Sequence, residues 1–241
     1  AFALLFAGMF FREEKFFQRG KSILEEQLAM QILPDGAHFE LSPMYHMLML
    51  QRVLESAEML GANRPDEANF IRQISEYASS MLGWMNAMQF ENGEMPLVND
   101  SAEGIAPSCG SIHEYAGCLN ISAREIRLAE SGFRKIKTSG YECLVDIGGL
   151  EPNENAGHAH ADSLNFLLHI HGRPFLVDTG ISTYNDCAER HYQRSTRAHN
   201  TVSAGSLIQS ELWGSFRVGK RVRSEEHTSE LQSPCNLVCR L

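Results

Sequence analysis

The sequence predicts an α+β protein in which a helical half precedes a half built from short strands. In the first half, apolar residues recur every three to four positions, the period of a helix with one buried face. After about Ser139 the pattern changes to short apolar runs bounded by Gly, Pro and Asn, which is typical of strands. Because helices and strands do not alternate, we expect two segregated domains rather than a parallel α/β sheet.

Three helices can be placed from their period and their end signals. The first carries a buried stripe within residues 16–32. The second begins after Ser42, a good N-cap, with Pro43 at the first helical position, and is expected to end at Gly61. The third covers about residues 66–90.

Four segments are predicted to be strands: YECLVDIGG, SLNFLLHIHG, RPFLVDTG and NTVSAG. Short strands separated by turn signals favour a β-sandwich or part of a barrel. His169 and His171 fall in the second segment and are predicted to be ordinary strand and turn residues. The expected domains are a helical domain at 1–135 and a strand domain at 136–222.

Composition excludes some classes of partner. The 241-residue chain has a formal net charge of −9, which argues against general affinity for nucleic acid or for insertion into an anionic membrane. The six cysteines form no CxxC pair, so neither a disulfide framework nor a thiolate zinc site is predicted.

Both ends of the chain are unusual. The opening AFALLFAGMFF lacks a basic region and a cleavage site, so we interpret it as a helix rather than a targeting signal. From Arg223 the periodicity is lost and the string resembles a translated sequencing adapter. We therefore expect residues 223–241 to be a non-native tail, with a natural disordered tail as the alternative.

The segment GHAHAD places His158 and His160 two positions apart, so in extended backbone both side chains point to the same side. Imidazole and carboxylate are good ligands for zinc or a similar divalent ion, and Asp178 and His199 follow at the edges of later segments. A metal site would require GHAHAD to fold back towards Asp178. The alternative is that these are surface histidines in polar loops.

A cluster of cations lies in ERHYQRSTRAHN, which contains Arg190, Arg194 and Arg197. Guanidinium groups can hold carboxylates or sulfates through forked, charge-assisted hydrogen bonds. The alternative is a solvated loop whose arginines pair with surface acids.

The helical half contributes DGAHFELSPMYH, in which Tyr45 and His46 lie in the first turn of the second helix. Exposed N–H groups and the helix dipole favour anions there. A tyrosine beside cationic neighbours can transfer protons, but a tyrosine at a helix start can equally serve packing and capping.

Several of these strings together resemble one family. GHAHADSLNFLLHIHGRPFLVDTGISTYN, RHYQRSTRAHNTV and ELWGSFRVGKR resemble the C-terminal region of heparinase II/III-like polysaccharide lyases. DGAHFELSPMYH and NDSAEGIAP resemble the end of the helical domain of that family, and the resemblance runs from Ala1 to Arg221. It implies the C-terminal part of an incomplete (α/α) toroid followed by a truncated antiparallel β-sandwich.

The resemblance also implies an activity, the cleavage of uronic-acid-containing glycans, heparan-sulfate-like or alginate-like, by β-elimination. It implies that Tyr45 transfers protons, that His158 faces the substrate and that Tyr184 is a second tyrosine near the cleft. One metal ion, commonly zinc and mainly structural, is implied at His160, Asp178 and His199. The substrate-binding candidates are Glu40, His46, Arg190, Arg194 and Arg197, with Glu40 and Arg194 included for position only.

Two departures from the family pattern are visible. An upstream Asn-His pair that helps neutralise the uronate carboxylate is absent, and the sandwich stops after FRVGKRV. We therefore expect an internal fragment that is inactive alone, whose complete form acts on an anionic polysaccharide in the periplasm or outside the cell. The sequence carries no signal for an oligomeric state.

Two rival interpretations stay open. One is a non-catalytic polysaccharide-binding or cell-envelope protein on the same scaffold. The other is a cupin-like metal enzyme, which we disfavour because the downstream Glu is missing and the helical half would be unexplained.

Overall fold

The computed structural model describes residues 1–150, 152 and 156–221. Helices occupy the first part and antiparallel strands lie in the second, which confirms the α+β class. The α-helices are α1 (Phe2–Phe10), α2 (Glu14–Gln31), α3 (Pro43–Asn63), α4 (Ala68–Met88), α5 (Cys109–Cys118) and α6 (Ala188–Gln193). The strands are β1 (Phe133–Lys137), β2 (Tyr141–Asp146), β3 (Phe166–Ile170), β4 (Arg173–Leu176), β5 (Leu212–Trp213) and β6 (Arg217–Val218). The tail predicted to be non-native, 223–241, lies outside the described residues.

The chain divides into two compact units. The helical unit comprises Ala1–Phe39, Tyr45–Ala87 and Gly104–Arg127. The strand unit comprises Glu40–Met44, Met88–Glu103 and Leu128–Leu241. Two short pieces that precede the predicted boundary therefore group with the strands, and they bring Glu40 and Asp100 into the strand unit.

In the helical unit, α1 and α2 pack with their backbones unusually close. A Cβ at Gly8 would lie 2.3 Å from the backbone nitrogen of Phe17, and one at Gly20 would lie 2.6 Å from that of Leu5. Phe17 is fully buried on the α2 face that carries the predicted apolar stripe. Glycine at both crossing points is thus what lets the two helices approach. Among the described helices, none is long and apolar enough to cross a membrane.

The predicted end of α3 at Gly61 is wrong, because the helix continues to Asn63. A Cβ at Gly61 would meet nothing within 4 Å, so this exposed glycine is tolerated inside the helix. The helix ends instead before Arg64, whose backbone angles (φ −138°, ψ 56°) lie outside the helical region. The following Pro65 disfavours helical backbone at Arg64.

The strand unit contains a four-stranded antiparallel sheet in the order β1-β2-β3-β4 and a separate β5-β6 hairpin. Side chains alternate across the sheet: Phe133, Leu144 and Leu167 are buried, whereas Ile136 and Tyr141 are exposed. β1 was not predicted, and the predicted strand NTVSAG is wrong, since residues 200–205 contain no strand.

The predictions for two histidines are confirmed. His169 lies in β3 and stacks on Phe90 with 3.7 Å between ring centroids. His171 and Gly172 form the β3–β4 turn with positive φ values of 49° and 70°, as a tight hairpin requires.

His46 is part of the core of the helical unit. Its side chain is completely buried beside Trp84, with 4.4 Å between ring centroids. Its Nδ1 accepts the backbone N–H of His38 at 3.2 Å, so Nε2 carries the proton and donates to the Met81 carbonyl at 3.0 Å. The structure does not support the predicted substrate-binding role, because both ring nitrogens are engaged within the unit.

Burial, with a smaller contribution from His38, lowers the pKa of His46 to about 3. The unfolded chain then binds a proton at His46 below about pH 6.5 that the folded chain does not bind. The free energy of unfolding should therefore fall as the pH falls through that range. Between pH 7 and pH 5 the contribution of this histidine is about 2 kcal/mol.

We predict that His46→Gln removes this part of the pH dependence. Urea unfolding at pH 7 and pH 5 measures it, and His113→Gln, which changes an exposed residue of α5, serves as the control. An unchanged pH dependence in His46→Gln would show that the histidine is not held neutral.

Candidate functional site

The buried carboxylate of Asp100 is the centre of the site in the strand unit. Its side chain is 0% exposed, and it lies in a loop after α4. Arg190, near the start of α6, donates Nη1 to Oδ1 at 2.5 Å and Nη2 to Oδ2 at 2.7 Å. This forked pair places one full positive charge directly against the buried negative charge.

Both histidines of the HxH motif bind the same carboxylate. His158 Nδ1 lies 2.9 Å from Asp100 Oδ2, and His160 Nε2 lies 2.9 Å from Asp100 Oδ1. Both side chains therefore lie on the same side of the segment, as their spacing predicts, and they meet at a common centre. In the structure, that centre is a carboxylate 58 residues before His158.

The surroundings of Asp100 keep it ionised. Burial alone would raise its pKa, but the hydrogen bonds from His158, His160 and Arg190 outweigh burial and lower the pKa far below its usual range. Asp100 is therefore a hydrogen-bond acceptor on both oxygens at neutral pH.

The other side of the His158 ring faces an acid and an aromatic pair. Its Nε2 lies 3.9 Å from Glu40 Oε2, and both side chains are partly exposed. Burial raises the pKa of Glu40, an effect that the neighbouring Asp100 charge reinforces and His158 opposes. The rings of Tyr184 and Phe216 stack on one another at 5.5 Å, and both lie edge-on to His158 at 6.5 and 6.1 Å.

The three predicted arginines have different environments. Arg190 is fully buried and also donates to the Ser215 carbonyl, while its guanidinium lies over the Tyr184 ring at 5.2 Å. Arg194 is 1% exposed and donates to the Ala159 carbonyl, and burial followed by the Arg190 charge lowers its pKa to about 10. Direct binding of substrate by these two is not supported, because their donors are used inside the unit, whereas Arg197 is exposed.

A second cluster adjoins the first. Ligand atoms of Asp162, Asp178 and His199 lie within 4.8 Å of one another. His199 Nδ1 donates to Asp178 Oδ2 at 2.7 Å, and Asn165 donates its Nδ2 to Asp178 at 2.8 Å. Two of the predicted metal residues, Asp178 and His199, are thus in direct contact.

His160 approaches this cluster from the Asp100 side. Its ring centroid is 5.2 Å from that of His199. Within the described part of the chain, the buried His160 Nδ1 and His199 Nε2 have no hydrogen-bond partner. Burial lowers the pKa of His160, which keeps it neutral and leaves the lone pair on Nδ1.

These donors fit a divalent ion. Two buried imidazole nitrogens that have no hydrogen-bond partner among the described residues, together with the carboxylates of Asp162 and Asp178, supply nitrogen and oxygen donors of the types that zinc binds. Burial lowers the pKa of His199, but its hydrogen bond to Asp178 and the charges of Asp162 and Asp178 outweigh this and raise it. Negative charge therefore dominates the cluster, as a cation site requires.

Sequence reasoning missed four residues of these clusters. Asp162 is the last residue of GHAHAD, and its position two after His160 was a usable signal. Asp100 lies within NDSAEGIAP, a string that was noted without a role for the acid. Asn165 and Phe216 had no local signal.

Tyr45 is half-buried in the first turn of α3 and belongs to the helical unit. Its role in proton transfer stays a prediction.

Comparison with known proteins gives consistent matches. The family model described as "Heparinase II/III N-terminus" matches residues 1–118, and "Heparinase II/III-like, C-terminal" matches residues 120–234. A heparin-sulfate lyase of Pedobacter heparinus is 25% identical over 83% of this chain and 34% of its own length. One from Bacteroides thetaiotaomicron is 24% identical over 90% of this chain and 36% of its own. The chain thus spans about a third of these curated relatives.

Solved structures show the same fold. A crystal structure of heparinase III superposes with a TM-score of 0.65 at 20% identity, covering 85% of this chain and 38% of that one. A mutant of a heparan sulfate lyase from Pedobacter heparinus gives a TM-score of 0.63 at 22% identity, covering 81% and 35%.

Proposed function

Because the chain belongs to the heparinase II/III-like family, we propose that it forms part of a polysaccharide lyase that cleaves uronic-acid-containing glycans by β-elimination. The observation that carries the proposal is His158. This imidazole is anchored through Nδ1 to a buried carboxylate, and its other edge lies beside an acid and two partly exposed aromatic rings. The names of the heparin-sulfate lyase relatives support heparan-sulfate-like glycans, and alginate-like glycans are the alternative.

The chemistry requires these residue types. A proton leaves C5, next to the uronate carboxylate, while the departing glycosidic oxygen gains a proton. The developing charge on the carboxylate must be stabilised at the same time. A histidine fixed in one orientation and a tyrosine can share the proton transfers, and we assign them to His158 and Tyr45.

The surrounding residues position the sugar chain. Tyr184 and Phe216 offer aromatic faces beside His158, and Glu40 offers a hydrogen-bonding oxygen to a sugar hydroxyl. Arg197 is the exposed cation of the arginine cluster and is assigned to the anionic groups of the glycan.

The finer architecture and the location belong to the same proposal. We assign the helical unit to the C-terminal part of an (α/α) toroid and the strand unit to part of an antiparallel β-sandwich. We place the complete protein in the periplasm or outside the cell, where polymeric uronates occur.

We predict that His158→Ala in the full-length protein lowers kcat on its preferred uronate polymer by about 10²- to 10⁴-fold, the usual contribution of a proton-transferring side chain. The ultraviolet absorbance of the unsaturated product measures the rate. His191→Ala, which changes an exposed histidine of α6, should keep parental activity.

Binding and product assays of the parent protein distinguish a lyase from a non-catalytic binding protein. Binding of heparan-sulfate-like or alginate-like polymers with no unsaturated product, and unchanged by Tyr45→Phe, would replace the lyase proposal with the non-catalytic one.

We further propose that His160, Asp178 and His199, with Asp162, hold one zinc ion. Bound there, zinc would neutralise the buried carboxylates and act as a Lewis acid towards its ligands. The ligands His160 and Asp162, in the GHAHAD segment, and Asp178, just after β4, would then hold these two segments together.

We predict that His160→Ala and His199→Ala each abolish stoichiometric zinc in the purified full-length protein, while Asp162→Asn weakens retention. Elemental analysis after dialysis measures the zinc content. His171→Ala, in the exposed β3–β4 turn, is the control. Equal zinc in the parent and in His160→Ala would remove His160 from the site.

A further inference from the structure

We propose that Asp100 is a positioning residue that assigns opposite tautomers to the two histidines of the HxH motif. It holds the proton of His158 on Nδ1 and the proton of His160 on Nε2. The catalytic consequence for His158 rests on the lyase function proposed above, whereas the tautomer assignment stands on the geometry alone.

The assignment follows from the chemistry of an ionised carboxylate. Such a group accepts hydrogen bonds and cannot donate them, so any ring nitrogen bonded to it must carry the proton. His158 meets Asp100 through Nδ1 and His160 meets it through Nε2, both at 2.9 Å. The lone pairs are consequently left on Nε2 of His158 and on Nδ1 of His160.

Arg190 allows both histidines to act as neutral donors. A buried carboxylate without a counter-ion would favour a charged imidazolium beside it. Here the two terminal nitrogens of Arg190 already neutralise Asp100. Neither histidine is needed as a counter-ion, so each can meet Asp100 as an N–H donor.

The loop that carries Asp100 is fixed at several points. The Asp100 N–H donates to the His158 carbonyl at 3.1 Å, and Ser42 Oγ donates to the Asp100 carbonyl at 2.8 Å. At the next residue of the loop, the Ser101 carbonyl accepts the Ile181 N–H at 2.9 Å. A Cβ at Gly180, which has φ +63°, would lie 2.2 Å from that same oxygen. These contacts hold the loop backbone without involving either imidazole ring, so they place the carboxylate independently of the histidine side chains.

The two lone pairs serve different sites. Nε2 of His158 lies on the side of Glu40, where the substrate is proposed to bind. Nδ1 of His160 is buried without a hydrogen-bond partner in the described part of the chain, near the His199 ring. One carboxylate therefore directs one histidine to the substrate and the next to the metal cluster.

The first test uses the unmodified full-length protein. Long-range ¹H–¹⁵N NMR of the histidine rings at pH 8 distinguishes protonated from unprotonated ring nitrogens. We expect a proton on Nδ1 of His158 and on Nε2 of His160, with and without added zinc. A proton on Nε2 of His158, as the other tautomer or as imidazolium, overturns the proposal.

The second test uses Asp100→Asn, which keeps the shape and lets the side chain donate as well as accept. We expect kcat on the preferred uronate polymer to fall by about 10²-fold or more, with KM changed less than about threefold, because a misplaced proton impairs the chemical step. The NMR spectrum should show a mixed or inverted His158 tautomer. Asp186→Asn, which alters the exposed Asp186–His191 pair, should change neither readout.

The two levels of the proposal fail separately. If the parent protein shows the assigned tautomers but no elimination, the lyase function fails and the tautomer assignment stands. If the parent is an active lyase and Asp100→Asn keeps both kcat and the His158 tautomer, the positioning role of Asp100 is wrong.

Discussion

The strand unit depends on one buried ion pair, formed by Asp100 and Arg190. Both side chains are completely removed from solvent, and a buried charge is tolerated only when a partner and further hydrogen bonds compensate for lost hydration. The structure provides this compensation on every side of the carboxylate. Because the compensating groups come from two other segments, satisfying Asp100 brings the loop after α4, the GHAHAD segment and α6 together.

This constraint explains why the site is built from residues that are distant in sequence. Asp100 precedes His158 by 58 residues and Arg190 follows it by 32. The HxH spacing aligns two imidazoles on one side of the chain, but the buried carboxylate selects which nitrogen each one presents. The two histidines of a motif commonly associated with metal binding thus have different roles. His158 presents Nε2 towards Glu40, and His160 presents Nδ1 towards the cluster of Asp162, Asp178 and His199.

The sequence predicted those features that are local. Nearly all of the stripe predicted at 16–32 lies in α2 because it recurs with the helical period, and His171 lies in a turn because glycine follows it. β1 was missed because its sequence, FRKIK, lacks the apolar run of a strand and gains its place by pairing with β2. The prediction that α3 ends at Gly61 is wrong because the packing of the whole helix outweighs the modest helix-propensity cost of one glycine, a balance that the sequence does not display.

The site itself was predicted only in part, for the same reason. Arg190 and Arg194 were predicted to hold carboxylates or sulfates of a ligand, with a solvated loop as the alternative. Their partners, a carboxylate and three backbone carbonyls, are supplied by segments far away along the chain. The pairing of a buried charge with residues that are distant in the chain leaves no local pattern in the sequence. Only a three-dimensional structure could show that these arginines are buried and stabilise the site.

The most direct measurement of this account is a double-mutant cycle for unfolding with Asp100→Ala, Arg190→Ala and the double variant. If the ion pair organises the unit, each single variant leaves a buried charge unpaired and loses about 3–5 kcal/mol. The double variant should lose little more than either single one, so the coupling energy should be nearly as large as the loss of one single variant. Additive losses, with a coupling energy near zero, would contradict the claim that the pair holds the site together.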